Sequence, residues 1–273
     1  MGNEVERCYL MGCTASFSLP KELGEGFHLF STKTITPLHK ESAQIHAACP
    51  YCLELTGCEE GHAISILGSV LYGIRLASDC SIQLVGFDSS SSGPYTPSYS
   101  PQSIWGHCDE KLREDAVNFA VRHSDVLAKH SAPERFNRFS NAIRLHQAGM
   151  TTHDCDLALL GFIGSLESLF STSPQELSFR LSLAISKFLG DDPDSQKAFF
   201  KNAKELYTTR SKLAHGAKID DSEEQAAIEI VEYWVPKAES INRTCLKRIL
   251  EDDLVDVFLS EGRLNQFLED LLF

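Results

Sequence analysis

No stretch of this chain approaches the roughly 18 consecutive apolar residues that a membrane-spanning helix requires. The longest apolar segment, 63–76, is broken by Ser65, Gly68, Ser69 and Gly73. A secretory leader is not expected either, because the start MGNEVERC is acidic and lacks an apolar h-region. Gly2 invites N-myristoylation, but Glu6 stands where that signal needs Ser or Thr. Positive charge is also short: 25 Lys and Arg face 38 Asp and Glu across 273 residues, a net charge of −13. Net charge therefore advertises no sequence-independent grip on nucleic acid, and any RNA site must be a local basic cluster. Residues 133–250 are nearly balanced, with 15 basic and 16 acidic side chains, whereas 251–273 hold one basic and seven acidic. No internal repeat is visible.

Cysteine is not scarce. Nine are present, an odd number without secretory context, which favours a reduced, cytoplasmic setting with most thiols as small buried hydrophobes. Cys49 and Cys52 form a Cys-x-x-Cys pair, and Cys58 and His62 could complete a tetrahedral zinc set. The spacing is cramped for zinc and no thioredoxin-like βαβ unit surrounds it, so unligated thiols are the competing reading.

The hydrophobic pattern predicts a mainly α protein: a C-terminal antiparallel helical bundle joined to a smaller mixed α/β N-terminal region. The mixed region is expected over 1–105, the bundle over 106–250 and an acidic helical tail over 251–273. Residues 27–35 and 81–87 read as strands and 64–76 as a buried helix weakened by Gly68 and Gly73. The Ser/Pro/Gly-rich stretch 88–103 reads as a flexible loop.

From 109 onward the apolar period is helical. Leu112, Ala116, Phe119, Ala120 and Leu127 share one face; Phe136, Phe139 and Ile143 share the next. Leu157, Leu160, Ile163, Leu166 and Phe170 make a helix apolar on more than one side, hence central. Capping boxes are expected at Ser173–Glu176 and Ser222–Gln225, and Asp192-Pro193 should open another helix. Pro236 should kink or interrupt the helix holding Ile230 and Trp234. Leu264, Phe267, Leu268 and Leu271 mark a terminal amphipathic helix. His146 and His153 are expected in solvent, and Trp105 and Trp234 as packing residues.

Chemistry concentrates at 207–217, where Arg210 and His215 stand five residues apart. Positions i and i+5 of a straight helix lie roughly 140° apart, so the two converge only if the helix stops between them, near Gly216. A permanent cation beside a titratable imidazole suits a phosphate. Arg210 could clamp the phosphate, His215 could move a proton and Ser211 could orient either, with Lys212, Lys204 and Lys201 adding local charge. The competing reading pairs Arg210 with Glu167 on a neighbouring helix, leaving both structural.

Four segments carry a family resemblance: Leu160–Phe170 with its Leu-Glu-Ser-Leu-Phe, Glu176–Ala184, Phe188-Leu189-Gly190 and Tyr207–Gly216. In order and spacing they resemble the HEPN superfamily (higher eukaryotes and prokaryotes nucleotide-binding domains), in its Apea-like branch, over about 133–250. Leu71–Leu76 is similar to a segment upstream of that bundle. The resemblance implies an antiparallel bundle that often dimerises, bringing two Arg-x4-His motifs into one cleft. It implies a metal-independent endoribonuclease that needs no cofactor, or a non-catalytic module binding RNA, a nucleotide or a protein partner, in defence or toxin–antitoxin settings. Catalytic members often carry Asn, Asp or His after the arginine, where this chain has Ser211.

Overall fold

The computed structural model describes residues 4–12, 14–24, 26–78, 82–95, 111–132, 134, 136–172, 175–215, 225 and 228–272. They divide into two compact units, one ending at Lys129 and the other starting at His130.

The first unit is built on a six-stranded antiparallel sheet in the order β3-β4-β5-β1-β6-β7. Its strands are β1 (Val5–Met11), β3 (Lys21–Gly24), β4 (Phe27–Ser31), β5 (Tyr51–Thr56), β6 (Gln83–Ser89) and β7 (Gly93–Tyr95). Two-residue strands β2 (Thr14–Ala15) and β8 (Lys111–Leu112) pair in parallel beside it. Side chains alternate between the two faces, as the strand period of two demands. Cys8, Leu10, Phe27, Leu29, Leu53, Leu55 and Phe87 join one core with helices α2 (Glu60–Ala77) and α3 (Glu114–Arg122). Tyr9 and Cys52 look the other way and pack with Cys49, Ile35 and Ile45, under short helix α1 (Ala43–Ala48).

The structure revises several expectations here. The helix expected at 64–76 runs from 60 to 77, and Gly73 serves it: a Cβ there would sit 2.8 Å from the Ala120 backbone, so its absence lets α3 close on α2. Helix α3 belongs to the sheet unit, so the unit boundary lies at 129/130 rather than 105/106. Its apolar face, with Val117, Ala120 and Val121, fits the sheet core, and helical period alone does not say which partner a helix covers. Leu112 lies in β8, not on that helix. The loop expected at 88–103 begins as a hairpin: β6 continues to Ser89 and β7 returns from Gly93, whose φ is +88°. Asp88 and Ser89 are buried because both are hydrogen-bonded, which a polar composition does not announce. The rest of that expected loop, 96–103, lies outside the described residues, as does Trp105.

The second unit is helical. Helix α4 (Ser124–Ser131) crosses the division, followed by α5 (Arg138–Thr151), α6 (Cys155–Phe170), α7 (Leu177–Leu189) and α8 (Pro193–Ala214). A π-helical turn (Ile230–Trp234) leads into α9 (Val235–Glu251), and α10 (Glu261–Leu272) closes the chain. As its two-sided pattern foretold, α6 is central: it packs against α5, α7, α8 and α9. A Cβ on Gly161 would lie 3.0 Å from the Leu145 carbonyl, so glycine allows α5 and α6 to approach. Inside, Asn242 Nδ2 donates to the Phe162 carbonyl at 2.7 Å, and Ser165 Oγ donates to the Ala142 carbonyl at 2.7 Å. These bonds key α5, α6 and α9 together.

Helix boundaries differ in places. Phe136, expected on a helical face, precedes α5 and is 87 % exposed, because Asn137 caps the helix after it. Helix α7 starts at Leu177 behind a left-handed Glu176, so the start expected at Pro174 is not used. Ser173, Pro174 and 222–224 lie outside the described residues. Pro236 interrupts as expected: the preceding turn widens, and the Val235 N–H reaches back five residues to Ile230. Helix α10 is not a separate tail, since Phe267 packs edge-on against Phe188 of α7. His146 is fully buried against the Phe162 ring, 3.8 Å from Glu239, rather than in solvent. No helix is long and apolar enough to cross a membrane among the described residues.

Candidate functional site

Helix α8 is firmly started. Asp192 accepts hydrogen bonds from the Asp194 and Ser195 N–H groups at 2.9 and 3.1 Å, Ser195 returns one, and Pro193 preforms the first turn. These bonds hold the Asp192 carboxyl below its ordinary pKa.

The far end carries Arg210 and His215. The helix runs unbroken through Arg210 to Ala214, and the His215 N–H still bonds to the Ser211 carbonyl at 3.2 Å. Arg210 and His215 therefore keep their roughly 140° separation. Arg210 turns inward, its Nη2 3.6 Å from Glu167 Oε2 on α6, with the guanidinium near the Tyr207 ring. His215 is exposed at the helix end. Ser211 contributes its carbonyl to that last turn. Gly216 lies outside the described residues.

The Arg210–Glu167 pair is the structural partnership that competes with the catalytic reading, but it is a loose one. Glu167 Oε1 and Arg210 Nε are both buried without a hydrogen-bond partner. Burial raises the Glu167 pKa, and Arg210 only partly offsets this.

The lysines are better placed than the motif. Lys201, Lys204, Thr208 and Lys212 recur every three or four residues and so share one face of α8. They line a groove of about 460 Å3 with Phe200, Glu205, Thr209 and Trp234. Trp234, expected only to pack, forms one edge of it, carried there by the π-helical turn before Pro236. Lys237 holds that turn: its ammonium lies 4.1 Å from the Tyr233 ring centroid and 5.4 Å from that of Trp234, and it donates to Asn202 at 2.9 Å. Phe179, half-exposed, stacks edge-on against Phe200 and extends the aromatic surface. Glu205 is the groove's acid, and it is shared by Lys201 and Lys237, each at 3.9 Å. Sequence reasoning named Lys201, Lys204 and Lys212 but missed Phe200, Thr208 and Trp234. The i, i+3/i+4 spacing of Lys204, Thr208 and Lys212 was the available signal.

The four metal candidates are not brought together. Cys49 and Cys52 pack with Tyr9 on one side of the sheet, Cys58 packs against the core on the other, and His62 is exposed on α2. Burial pushes the Cys49 thiol up to about 11 and the Cys52 thiol up to about 12. No cluster of three or more metal-ligating side chains occurs among the described residues.

No family model, curated protein or solved structure matches this chain.

Proposed function

We propose that this chain is a HEPN-like protein whose helical unit binds single-stranded RNA along α8 as a non-catalytic module. The observation that carries this is the stripe of Lys201, Lys204 and Lys212 beside the aromatic rings of Phe200 and Trp234 in one groove. Lysines along a helix can meet successive phosphates, while aromatic edges take the faces of unpaired bases, each stacked base being worth about 1–3 kcal/mol. The stripe spans about 16 Å of helix at 1.5 Å per residue. It also answers the charge problem, since Glu205 is the only acid lining the groove among the described residues, in a chain of net charge −13. The resemblance of 133–250 to the Apea-like HEPN branch supports RNA as the ligand. The cleavage reading asks more: Arg210 and His215 would have to be joined by a second copy supplying the missing group to one cleft.

A labelled single-stranded oligonucleotide followed by fluorescence anisotropy tests the proposal. Three phosphate contacts predict a log–log salt slope near −2, from about −0.7 per contact on single strands. The double variant Lys204→Glu/Lys212→Glu should bind at least about tenfold more weakly with an unchanged Tm. Trp234→Ala should weaken binding without changing the salt slope. Equal affinity of the double variant and wild type would sink the groove as the site. RNA cleavage in EDTA that is lost in His215→Ala would replace the binding reading with the catalytic one.

A further inference from the structure

A second cavity of about 460 Å3 opens at the start of α5, in the helical unit but lined by none of the α8 groove residues. Its charge comes from arginine. Arg138 Nη1 donates to the Ser168 and Ser171 carbonyls at 3.2 and 2.6 Å, at the end of α6. Nη2 donates to Glu261 at 2.8 Å. Nε, the other donor on that same edge of the guanidinium, is buried and has no acceptor. A carboxylate set squarely on the edge would engage both donors; Glu261 engages one. Glu261 is 78 % exposed, so water competes for that bond. Beside this underfilled edge lies bare apolar surface. Phe136 is 87 % exposed and Leu259 39 %, Phe258 is buried, and the Arg144 guanidinium stands 5.4 Å from the Phe136 ring centroid. The first turn of α5 holds no acid, so its positive end is not neutralised there.

We propose that this cavity binds a small aromatic carboxylate. The carboxylate takes the Nε–Nη2 edge of Arg138 in place of Glu261, and the ring lies against Phe136 and Leu259 near Arg144. Glu261 is an internal placeholder: it keeps half of the fork occupied in the empty site and competes with the ligand for it. The site therefore requires both parts of the ligand, the charge for the fork and the ring for the apolar wall.

Calorimetric titration of the full chain with naphthoate, naphthamide and acetate tests this. Naphthoate should bind saturably, and the uncharged amide and the ringless acid should each bind about tenfold more weakly or worse. Glu261→Gln should tighten naphthoate several-fold by weakening the competitor. Phe136→Ala should loosen it several-fold, as should Arg138→Lys, which loses the fork. Glu261 and Phe136 are exposed, so their variants keep the wild-type Tm and decide the test independently of Arg138, which also braces α6. Naphthamide binding as well as naphthoate, naphthoate affinity unmoved in both Glu261→Gln and Phe136→Ala, or no saturable naphthoate binding would each overturn the proposal.

Discussion

Each unit holds a carboxylate at least partly out of solvent, Asp88 fully buried and Glu167 half-buried, and the two are treated in opposite ways. Asp88 on β6 is wholly enclosed and collects three donors: Tyr9 OH at 3.3 Å, the Leu38 N–H at 3.0 Å and His39 Nδ1 at 2.8 Å. Glu167 on α6 has a single cation at 3.6 Å, and one of its oxygens has no partner. In the sheet unit, strand register sets Tyr9 one strand from Asp88, and the turn above it brings Leu38 and His39, so backbone geometry fixes all three donors. In the helical unit α6 and α8 pack as neighbouring helices with Leu166, Leu169, Ala203 and Leu206 buried, and the ion pair spans 3.6 Å. A carboxylate can be fully buried where several donors converge on it, and stays partly in solvent where it meets one cation.

Removing Asp88 should have the largest effect. Asp88→Ala leaves the buried Tyr9 hydroxyl and the half-buried Leu38 N–H without their acceptor, and about 3 kcal/mol of stability should be lost. Urea unfolding followed by circular dichroism, with amide exchange on β1 and β6, measures it. A loss below about 1 kcal/mol would mean that these donors find water and that the two carboxylates do not differ. Gly73→Ala comes next. Its Cβ would press on the Ala120 backbone, at a cost of about 2 kcal/mol from overpacking. Gly68→Ala on the same helix is the control, because no atom lies within 4 Å of its Cβ, and it should be neutral or stabilising by up to about 1 kcal/mol.

Glu167→Gln should have the smallest effect, and its signature is in pH. Burial lifts the Glu167 pKa above its ordinary 4.5 in the folded chain. A carboxyl raised on folding contributes stability that is full below the ordinary value and lost as pH rises through the folded value. Wild type should therefore lose stability relative to Glu167→Gln as pH rises from the ordinary value through the raised one. The gap should stay below about 1 kcal/mol, since Arg210 and solvent both screen the charge. Tm against pH for the two proteins checks this, and a variant that is less stable at neutral pH would make the Arg210–Glu167 pair a true clamp.

Much of the architecture was legible because it rests on local periodicity. The central position of α6, the start of α8 at Asp192-Pro193, the interruption at Pro236 and the terminal amphipathic helix all follow from side-chain spacing and cap chemistry within a few residues. The site was legible only in part. Lys201, Lys204 and Lys212 announced a local basic face within an acidic chain. Trp234 could not be placed with them, because it enters from another helix on a π-helical turn. The helix end beside Arg210 and His215 was legible in the sequence; that the last turn keeps the His215 N–H on the Ser211 carbonyl was not. Phe136 and Arg138 stand two residues apart at the start of α5, but Glu261 comes from the last helix, so no local motif signals the three together.

By itself the sequence determined the division of labour between a strand-rich first part and a helical second part, and the local charge of α8. These depend on period, composition and capping, which act over a few residues. Tertiary structure alone decided that α3 serves the sheet, that Asp88 is satisfied while Glu167 is not, that Cys49 and Cys52 are parted from Cys58 and His62, and that two cavities carry aromatic walls beside cations. Those outcomes depend on which faces meet across long stretches of chain, and that is set by packing between elements rather than within them.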